Sequence, residues 1–300
     1  MNLKHILVFM FISIIFISGC SQQEISEKEM LKGVSLSPKS FQSGDFTDFF
    51  EKAKQTGTII TWAGDWNELS NTQTGGPAVL AALSTNYNYI PIVEAQFFTQ
   101  SNSQLLRPLD ESTKQIYKDS AVAFAEKYKP RYMGFGIEIN TLYEKSPDTK
   151  VFTIFQLEKM KGLNSGLFGG SNDKAQWSLL DKFPKSDIIA FTTYPGLIYK
   201  NPSDIPADYY TEIQLYTSKT IAFTEIGWHS AASPVGWESS DSEQAEFVEV
   251  FFNLSKDLNK ELVVWSFLYD QNTIEPFNSM GLIPQEGRTK SAFDAWILSK

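Results

Sequence analysis

The sequence predicts an α/β protein built as a single (β/α)8 TIM barrel. Three observations support this prediction: short apolar runs recur along the chain, amphipathic stretches separate them, and the alternation continues through eight cycles. In parallel sheets covered on both faces, strands are near-continuous apolar runs rather than alternating ones. An open, doubly wound sheet is the alternative fold, but the sequence contains no phosphate-binding loop of the kind that such folds use.

The eight predicted strands are the apolar runs, and each would end at the same edge of the barrel. They are Gly33–Ser37, Thr58–Ala63, Tyr89–Glu94, Tyr132–Glu138, Val151–Phe155, Asp187–Tyr194, Thr220–Glu225 and Leu262–Leu268. The predicted helices have apolar residues at spacings of three and four. They are Asp45–Gln55, Pro77–Ser84, Glu111–Tyr128, Lys174–Phe183, Ala207–Ser218, Ser242–Asn259 and Lys290–Ser299. Residues 139–150, which include Pro147, barely suffice for a crossover, so the fourth helix is predicted to be short or missing.

Composition excludes several functions. The chain of 300 residues is 42% hydrophobic and 14% aromatic, which is too apolar for a disordered protein. Its net charge of -9 would repel phosphate backbones, so nucleic acid is not an expected partner. The single Cys, Cys20, excludes an intramolecular disulfide and a Cys-rich metal site, and two His, His5 and His229, are too few for a multi-His site. We expect no metal and no organic cofactor.

The amino terminus has the layout of a secretory leader. A basic start at residues 2–5 precedes an apolar run, Ile6–Ile17, which is too short to span a bilayer. The run ends in Ile17-Ser18-Gly19-Cys20, which resembles the bacterial lipobox, in which the Cys becomes the lipidated first residue. We therefore expect a signal peptide at 1–19, a lipidated tether at 20–32 and a barrel at 33–300, held outside the cytoplasm at the bacterial cell envelope. A cut elsewhere, which would leave Cys20 as a free thiol, is the alternative.

The fourth and the seventh predicted strands each end in a glutamate. The fourth ends Gly134-Phe-Gly136-Ile-Glu138, and the seventh ends Ile221-Ala-Phe-Thr-Glu225. An unpaired charge at the end of an apolar run is costly, and the carboxyl ends of barrel strands are where active sites lie. A pair of carboxylates is also what glycoside hydrolysis needs, one to protonate the leaving oxygen and one to attack the anomeric carbon. At each position the alternative is a strand-end carboxylate that pairs with a lysine or caps a helix.

With these two glutamates the sequence resembles the clan A glycoside hydrolases, whose acid/base and nucleophile end strands four and seven. The segment Thr224-Glu225-Ile-Gly-Trp228 is similar to the nucleophile segment of families 17 and 53. Thr193-Tyr194-Pro195 resembles the segment whose Tyr hydroxyl binds the nucleophile, and Trp265 resembles the Trp beneath the cleaved sugar. Lys32-Gly33-Val-Ser and Trp62-Ala-Gly-Asp65-Trp66 add similarity to the family 53 endo-galactanases.

The resemblance suggests further substrate contacts at strand ends. Trp62, Trp66, Trp228 and Trp265 are candidates for stacking on sugar rings, with core packing as the alternative. Glu94 ends the third predicted strand and Gln96 lies two residues beyond it, and both could bind sugar hydroxyls or simply lie in a solvated loop. Asn140 could supply an amide near Glu138. His229 is expected at the surface, with orientation of a ligand as the alternative.

The resemblance implies a retaining glycoside hydrolase acting on β-linked oligo- or polysaccharides, with Glu138 as acid/base, Glu225 as nucleophile and Tyr194 supporting Glu225. A surface lipoprotein that binds glycans without cleaving them is the alternative. It is motivated by Ile137, which stands where the clan has the Asn that binds the sugar 2-hydroxyl, and by the short fourth crossover. A monomer is the simplest expected state.

Overall fold

The computed structural model of the chain describes residues 30–99, 104–136, 154–163, 174–231 and 236–300. Eight parallel strands form one sheet in the order β4-β3-β2-β1-β8-β7-β6-β5. They are β1 Leu31–Ser35, β2 Ile59–Asp65, β3 Ile90–Gln96, β4 Tyr132–Gly134, β5 Ile154–Gln156, β6 Ile188–Thr193, β7 Thr220–Ile226 and β8 Lys260–Trp265. Beyond the edge strands, the amide of Ile154 donates to the carbonyl of Gly136 at 3.2 Å. The sheet thus nearly closes on itself, which confirms the predicted barrel.

Among the described residues, α-helices or short 3-10 helices lie between consecutive strands and cover the outside of the sheet, while the connection from β4 to β5 falls outside those residues. The α-helices are α1 Ser43–Ala53, α2 Gly76–Tyr87, α3 Glu111–Tyr128, α4 Leu157–Met160, α5 Asp241–Leu254 and α6 Ser291–Leu298. Short 3-10 helices lie at Trp66–Ser70, Trp177–Lys182, Pro195–Leu197, Pro202–Asp204, Thr211–Leu215 and Phe277–Ser279. The predicted fourth crossover falls in residues 137–153, outside the described residues. None of the described helices is long and apolar enough to cross a membrane.

Three predicted elements differ in the structure. Lys174–Phe183 and Ala207–Ser218 were predicted as α-helices, but only short 3-10 turns form there. In the second segment, the neighbouring residues Tyr209 and Tyr210 are both fully buried. Tyr209 contacts Glu158, and Tyr210 packs against Phe223 and Phe251. Because these contacts lie on different sides of the segment, it cannot form an α-helix with one buried face. The predicted eighth strand breaks at Ser266. A second pair of parallel strands, β9 Phe267–Tyr269 and β10 Gly281–Ile283, follows the break.

Two layers of apolar side chains make up the core. Inside the barrel, a small cluster from six strands fills the lower interior: Ile59, Ile92, Ile154, Ala190, Ala222, Leu262 and Val264. A larger cluster lies between the sheet and the helices, and it includes Val93, Phe223, Val263 and Trp265. Because side chains alternate along a strand, residues two positions beyond the inner cluster point into the barrel above it. The carboxyl ends of the strands therefore carry the candidate site.

Candidate active site

A cavity of about 810 Å³ opens at the carboxyl ends of the strands, where barrel active sites are found. Its walls come from the ends of β1, β2 and β7 and from segments that follow β1, β2, β3, β6 and β8. They consist of Ser35, Leu36, Phe41, Phe46, Thr61, Trp62, Ala63, Glu68, Gly76, Val79, Phe98, Tyr194, Glu225, Phe267, Thr273, Ile274 and Phe277. Of the predicted site residues that are described, Glu225, Tyr194 and Trp62 line this cavity.

A β-bulge turns Glu225 into the cavity. Ala222 belongs to the inner cluster and Phe223 to the outer one, so strict alternation would point Glu225 outward with Phe223. Phe191 pairs with Phe223, but the next residue of β6, Thr192, pairs with Glu225. Thr224 is thus an extra residue, and such a bulge re-aims the side chain that follows. Glu225 consequently faces the cavity while Ile226 rejoins the outer layer.

Tyr194 fixes the Glu225 carboxylate. The Tyr194 hydroxyl donates to Glu225 Oε2 at 2.5 Å, and Ser266 Oγ lies 3.0 Å from the Tyr194 hydroxyl oxygen. Burial raises the pKa of Glu225, and the hydrogen bond from Tyr194 opposes that shift because it stabilises the ionised form. The arrangement holds one carboxylate oxygen in a defined position at the cavity wall.

Glu158, a residue that the sequence analysis did not single out, holds Tyr194 in turn. It lies on α4, directly after β5, and is only 1% exposed. Its Oε1 accepts three hydrogen bonds, from Thr193 Oγ1 at 2.8 Å, from the Tyr194 amide at 2.9 Å and from the Tyr209 hydroxyl at 2.9 Å. The signal in the sequence was a lone glutamate within the apolar run Ile154-Phe-Gln-Leu-Glu158. Glu158 therefore locks the turn that presents Tyr194 to Glu225.

Glu94 is buried in the barrel interior instead of lying in a solvated loop. It stands on β3 two residues beyond Ile92, pairs with Ala63 and Gly134 in register, and is 1% exposed. Neither carboxyl oxygen has a hydrogen-bond partner among the described residues. Burial, and then the negative charge of Glu225, hold the pKa of Glu94 well above its usual range. Both effects favour the protonated, neutral form of this carboxyl group, which lies near the nucleophile candidate.

Replacing Glu94 by glutamine is expected to make the free energy of unfolding less dependent on pH. The folded wild-type protein keeps the Glu94 proton at pH values where the unfolded chain, with a pKa of about 4.3, has lost it. This group therefore stabilises the fold at low pH. Above the pKa of the unfolded chain, the contribution of Glu94 to the free energy of unfolding falls by about 1.4 kcal/mol per pH unit. The fall ends when the pH passes the pKa of Glu94 in the folded protein.

Urea unfolding at pH 4, 6 and 8 measures this effect. Glu94→Gln should gain stability relative to wild type as the pH rises, because the amide stays neutral throughout. Glu51→Gln is the control, since Glu51 is exposed and pairs with Lys54, the residue that directly follows its helix. If the free energy of unfolding changed with pH equally in Glu94→Gln and wild type, the assignment of a buried, protonated Glu94 would be wrong.

The tryptophan candidates divide into one cavity residue and three packing residues. Trp62 lines the cavity, and its indole lies close to Gly76, where an added Cβ would come within 2.3 Å of Nε1. Trp265 is fully buried among the outer cluster, and its Nε1 donates to the Met280 carbonyl at 2.8 Å. It follows Val264 of the inner cluster, so alternation turns it toward the helices. A role for Trp265 beneath the sugar is not favoured by this placement.

The other two tryptophans pack similarly outside the cavity lining. Trp228 is fully buried, and its Nε1 donates to Ser239 Oγ at 3.0 Å. Trp66 is 2% exposed and packs edge-on against Tyr117 on α3. Their burial favours core packing over sugar contact. His229, expected at the surface, is fully buried and stacks beside Trp228, and burial lowers its pKa to about 4.

The end of β2 carries an ion pair that tertiary contacts bring together. Asp65 accepts two hydrogen bonds from Arg107, at 2.6 and 2.8 Å, and the guanidinium lies 5.2 Å from the Trp66 ring centroid. Gln96 ends β3 opposite Asp65 and is half-buried, but it does not line the cavity. Glu138, Asn140 and Ile137 lie outside the described residues. The described part of the chain holds no cluster of three or more His, Cys, Asp or Glu side chains suited to a metal ion.

The fold and the site together define a (β/α)8 barrel whose mouth holds a half-buried, hydrogen-bonded glutamate. No protein-family model matches the chain, and no curated protein matches it. Solved structures with a similar fold include a family 39 glycoside hydrolase from the gut symbiont Bacteroides cellulosilyticus WH2, with 14% identity and a TM-score of 0.57 over 91% of this chain and 63% of that one.

Two further structures have a similar fold. A psychrophilic glycoside hydrolase family 10 endo-β-1,4-xylanase has 14% identity and a TM-score of 0.55 over 90% of this chain and 97% of that one. The Ruminococcus gnavus β-glucuronidase in complex with uronic isofagomine has 14% identity and a TM-score of 0.56 over 89% of this chain and 51% of that one. This chain thus spans about half of the β-glucuronidase. Identities this low establish the fold alone.

Proposed function

We propose that this protein is a retaining glycoside hydrolase that cleaves β-linked glycans, with Glu225 as the nucleophile and Glu138 as the acid/base. The observation that carries the proposal is the hydrogen bond from the Tyr194 hydroxyl to Glu225 at the wall of the cavity. A carboxylate fixed at the end of β7 is what attack on an anomeric carbon requires. The glycoside hydrolases among the structural neighbours support the proposal by analogy.

The chemistry proceeds in two displacements. Tyr194 occupies Oε2, so Oε1 of Glu225 attacks the anomeric carbon, forming an ester bond while the bond to the leaving oxygen breaks. Glu138 gives its proton to that oxygen. Water then attacks the anomeric carbon and loses a proton to Glu138, and Glu225 leaves as the carboxylate. Two inversions at one carbon retain its configuration.

Tyr194→Phe is expected to reduce kcat/KM by roughly 10- to 100-fold, the value of one hydrogen bond to a charged group. Because that bond lowers the pKa of Glu225, its loss raises this pKa. Only ionised Glu225 attacks, so the acidic limb of the pH profile of kcat/KM should move to higher pH. An unshifted acidic limb would contradict the role of Tyr194. Tyr210→Phe is the control, since Tyr210 is a fully buried tyrosine outside the cavity lining.

Reducing-sugar release from a panel of β-linked glycans tests the proposal as a whole. We expect at least one substrate, products that retain the β configuration by proton NMR, and loss of turnover in Glu138→Gln. Inverted products would exclude the two-displacement mechanism. Glycan binding without turnover, by a folded protein, would instead support the non-catalytic glycan-binding function.

We also propose that Cys20 anchors the protein outside the cytoplasm, so that it meets extracellular glycans. The support is the leader and lipobox-like segment that end at Cys20. Cells fed radiolabelled palmitate should incorporate label into the wild-type chain but not into Cys20→Ser. Equal labelling of the two chains would exclude lipidation at Cys20.

A further inference from the structure

One side of the cavity is apolar. The segments that follow β1 and β8 supply six side chains, which we call the apolar wall: Leu36, Phe41, Phe46, Phe267, Ile274 and Phe277. β1 and β8 are hydrogen-bonded neighbours, which brings the two segments side by side. The Phe277 ring packs edge-on against Tyr194 with centroids 5.1 Å apart. The apolar wall is thus continuous with the residue that holds Glu225.

The apolar wall is open to solvent. Phe41 is 77% exposed and Ile274 is 54% exposed, while Phe46, Phe267 and Phe277 are half-buried. Single exposed apolar side chains are ordinary, but a contiguous group around a cavity marks a binding surface. The cavity volume of about 810 Å³ lies within the range of about 300 to 1,000 Å³ typical of small-molecule sites. A sugar and an attached group can therefore share it.

Chemistry of the lining restricts the occupant. Among the described lining residues, the charged side chains are Glu68 and Glu225, and none is Lys or Arg. An anionic group would meet only like charge there. Leu36 and Ile274 have neither hydrogen-bonding atoms nor a flat face for stacking, so a sugar against them would lose its water without gaining a partner. The lining favours an uncharged apolar group.

We propose that the apolar wall binds the alkyl or aryl aglycone of an uncharged β-glycoside whose sugar lies at Glu225. The inference rests on the proposed glycosidase activity, which supplies the occupant, because the leaving group is attached to the carbon that Glu225 attacks. Burial of the aglycone against the six side chains would replace the water that now covers them.

Hydrolysis of methyl and hexyl β-glycosides of glucose, galactose and xylose tests this proposal. Methanol and hexanol are similarly acidic leaving groups, so a difference between them reports binding. Full burial of one additional methylene group is expected to raise kcat/KM about fourfold. Because the wall is partly open, we expect kcat/KM for the hexyl glycoside to exceed that for the methyl glycoside at least about tenfold. The chain from Ser21 onward is suitable, since all eight barrel strands begin at or after Leu31.

Exposed positions allow variants that keep the fold. The double variant Phe41→Asn, Ile274→Asn should lower the hexyl-to-methyl ratio at least about fivefold. Leu215→Asn is the matched control, because Leu215 is 78% exposed and lies outside the cavity lining. Its ratio should equal that of wild type. Turnover of both glycosides at equal kcat/KM in wild type would overturn the apolar wall as an aglycone site while leaving the proposed function intact.

A readout without turnover separates the two proposals. The neutral fluorophore N-phenyl-1-naphthylamine should brighten with wild type and Leu215→Asn, and hexyl glycosides should displace it. The double variant should bind it at least about fivefold more weakly. Displaceable binding with no hydrolysis of any glycoside would support the apolar site and count against the glycosidase activity alone. Equal binding to all three proteins would overturn the apolar site.

Discussion

Glutamine in place of Glu225 is expected to reduce kcat/KM for the accepted glycan at least about 10³-fold. The amide matches the shape of the carboxylate and can still accept the hydrogen bond from Tyr194, so the fold should persist. It cannot supply the negatively charged oxygen that forms the glycosyl ester. In wild type, an activated 2-fluoro-glycoside should accumulate as that ester, and peptide mass spectrometry should locate the added sugar on Glu225.

Glu68→Gln is the control for this experiment. Glu68 is the other charged residue of the described cavity lining, and its Oε2 accepts the Gly76 amide at 2.9 Å, a bond that a glutamine oxygen can also accept. Its kcat/KM should stay within about threefold of wild type. Unchanged turnover in Glu225→Gln, or sugar found on Glu68, would exclude Glu225 as the nucleophile.

Removal of the Glu158 carboxyl group is expected to have the largest effect on stability. Glu158→Leu leaves three buried donors without an acceptor: Thr193 Oγ1, the Tyr194 amide and the Tyr209 hydroxyl. At about 1 to 3 kcal/mol for each unsatisfied group, the three donors would cost about 3 to 9 kcal/mol. The leucine also removes the cost of burying the Glu158 carboxyl group, so we expect the free energy of unfolding to fall by about 3 to 5 kcal/mol. Urea unfolding at pH 7 measures this loss.

The same variant should change catalysis, because the released turn no longer holds Tyr194 against Glu225. Below its unfolding temperature, Glu158→Leu should move the acidic limb of the pH profile upward, as Tyr194→Phe does. Glu158→Gln keeps an oxygen acceptor and should retain the wild-type limb with a smaller loss of stability. A double variant Glu158→Leu, Tyr194→Phe should shift no further than either single one. Additive shifts would mean that Glu158 acts on the site independently of Tyr194.

Much of the barrel follows from local patterns. The predicted α3 at Glu111–Tyr128 agrees with the structure at both ends, because Asp110 caps its first turn and Lys129 ends it in a left-handed conformation. Each of the eight apolar runs overlaps a strand of the barrel, although several strands begin or end two or more residues away from the predicted bounds. The helix predicted at Ala207–Ser218 is wrong, because the burial of Tyr209 and Tyr210 depends on residues distant in sequence. Among these residues are Glu158 and Phe251.

The sequence predicted the candidate site only in part. It places a glutamate at the end of β7 and a tyrosine at the end of β6, and the barrel geometry brings both to one edge. The contact of Tyr194 with Glu225 depends on the bulge at Thr224, and the burial of Trp265 depends on which face of β8 it occupies. The apolar pattern of the sequence predicts neither the bulge nor the face of β8 that Trp265 occupies.

The sequence by itself determined the repeating strand and helix order, because the spacing of apolar residues sets which backbone can bury them. Only the tertiary structure decided which polar groups meet. Glu158 is 36 residues from Tyr194, and Arg107 is 42 residues from Asp65, yet both pairs are in hydrogen-bond contact. Burial also decided the pKa directions of Glu94 and Glu225, since the charged form of a carboxyl group loses stability when the folded chain removes its water.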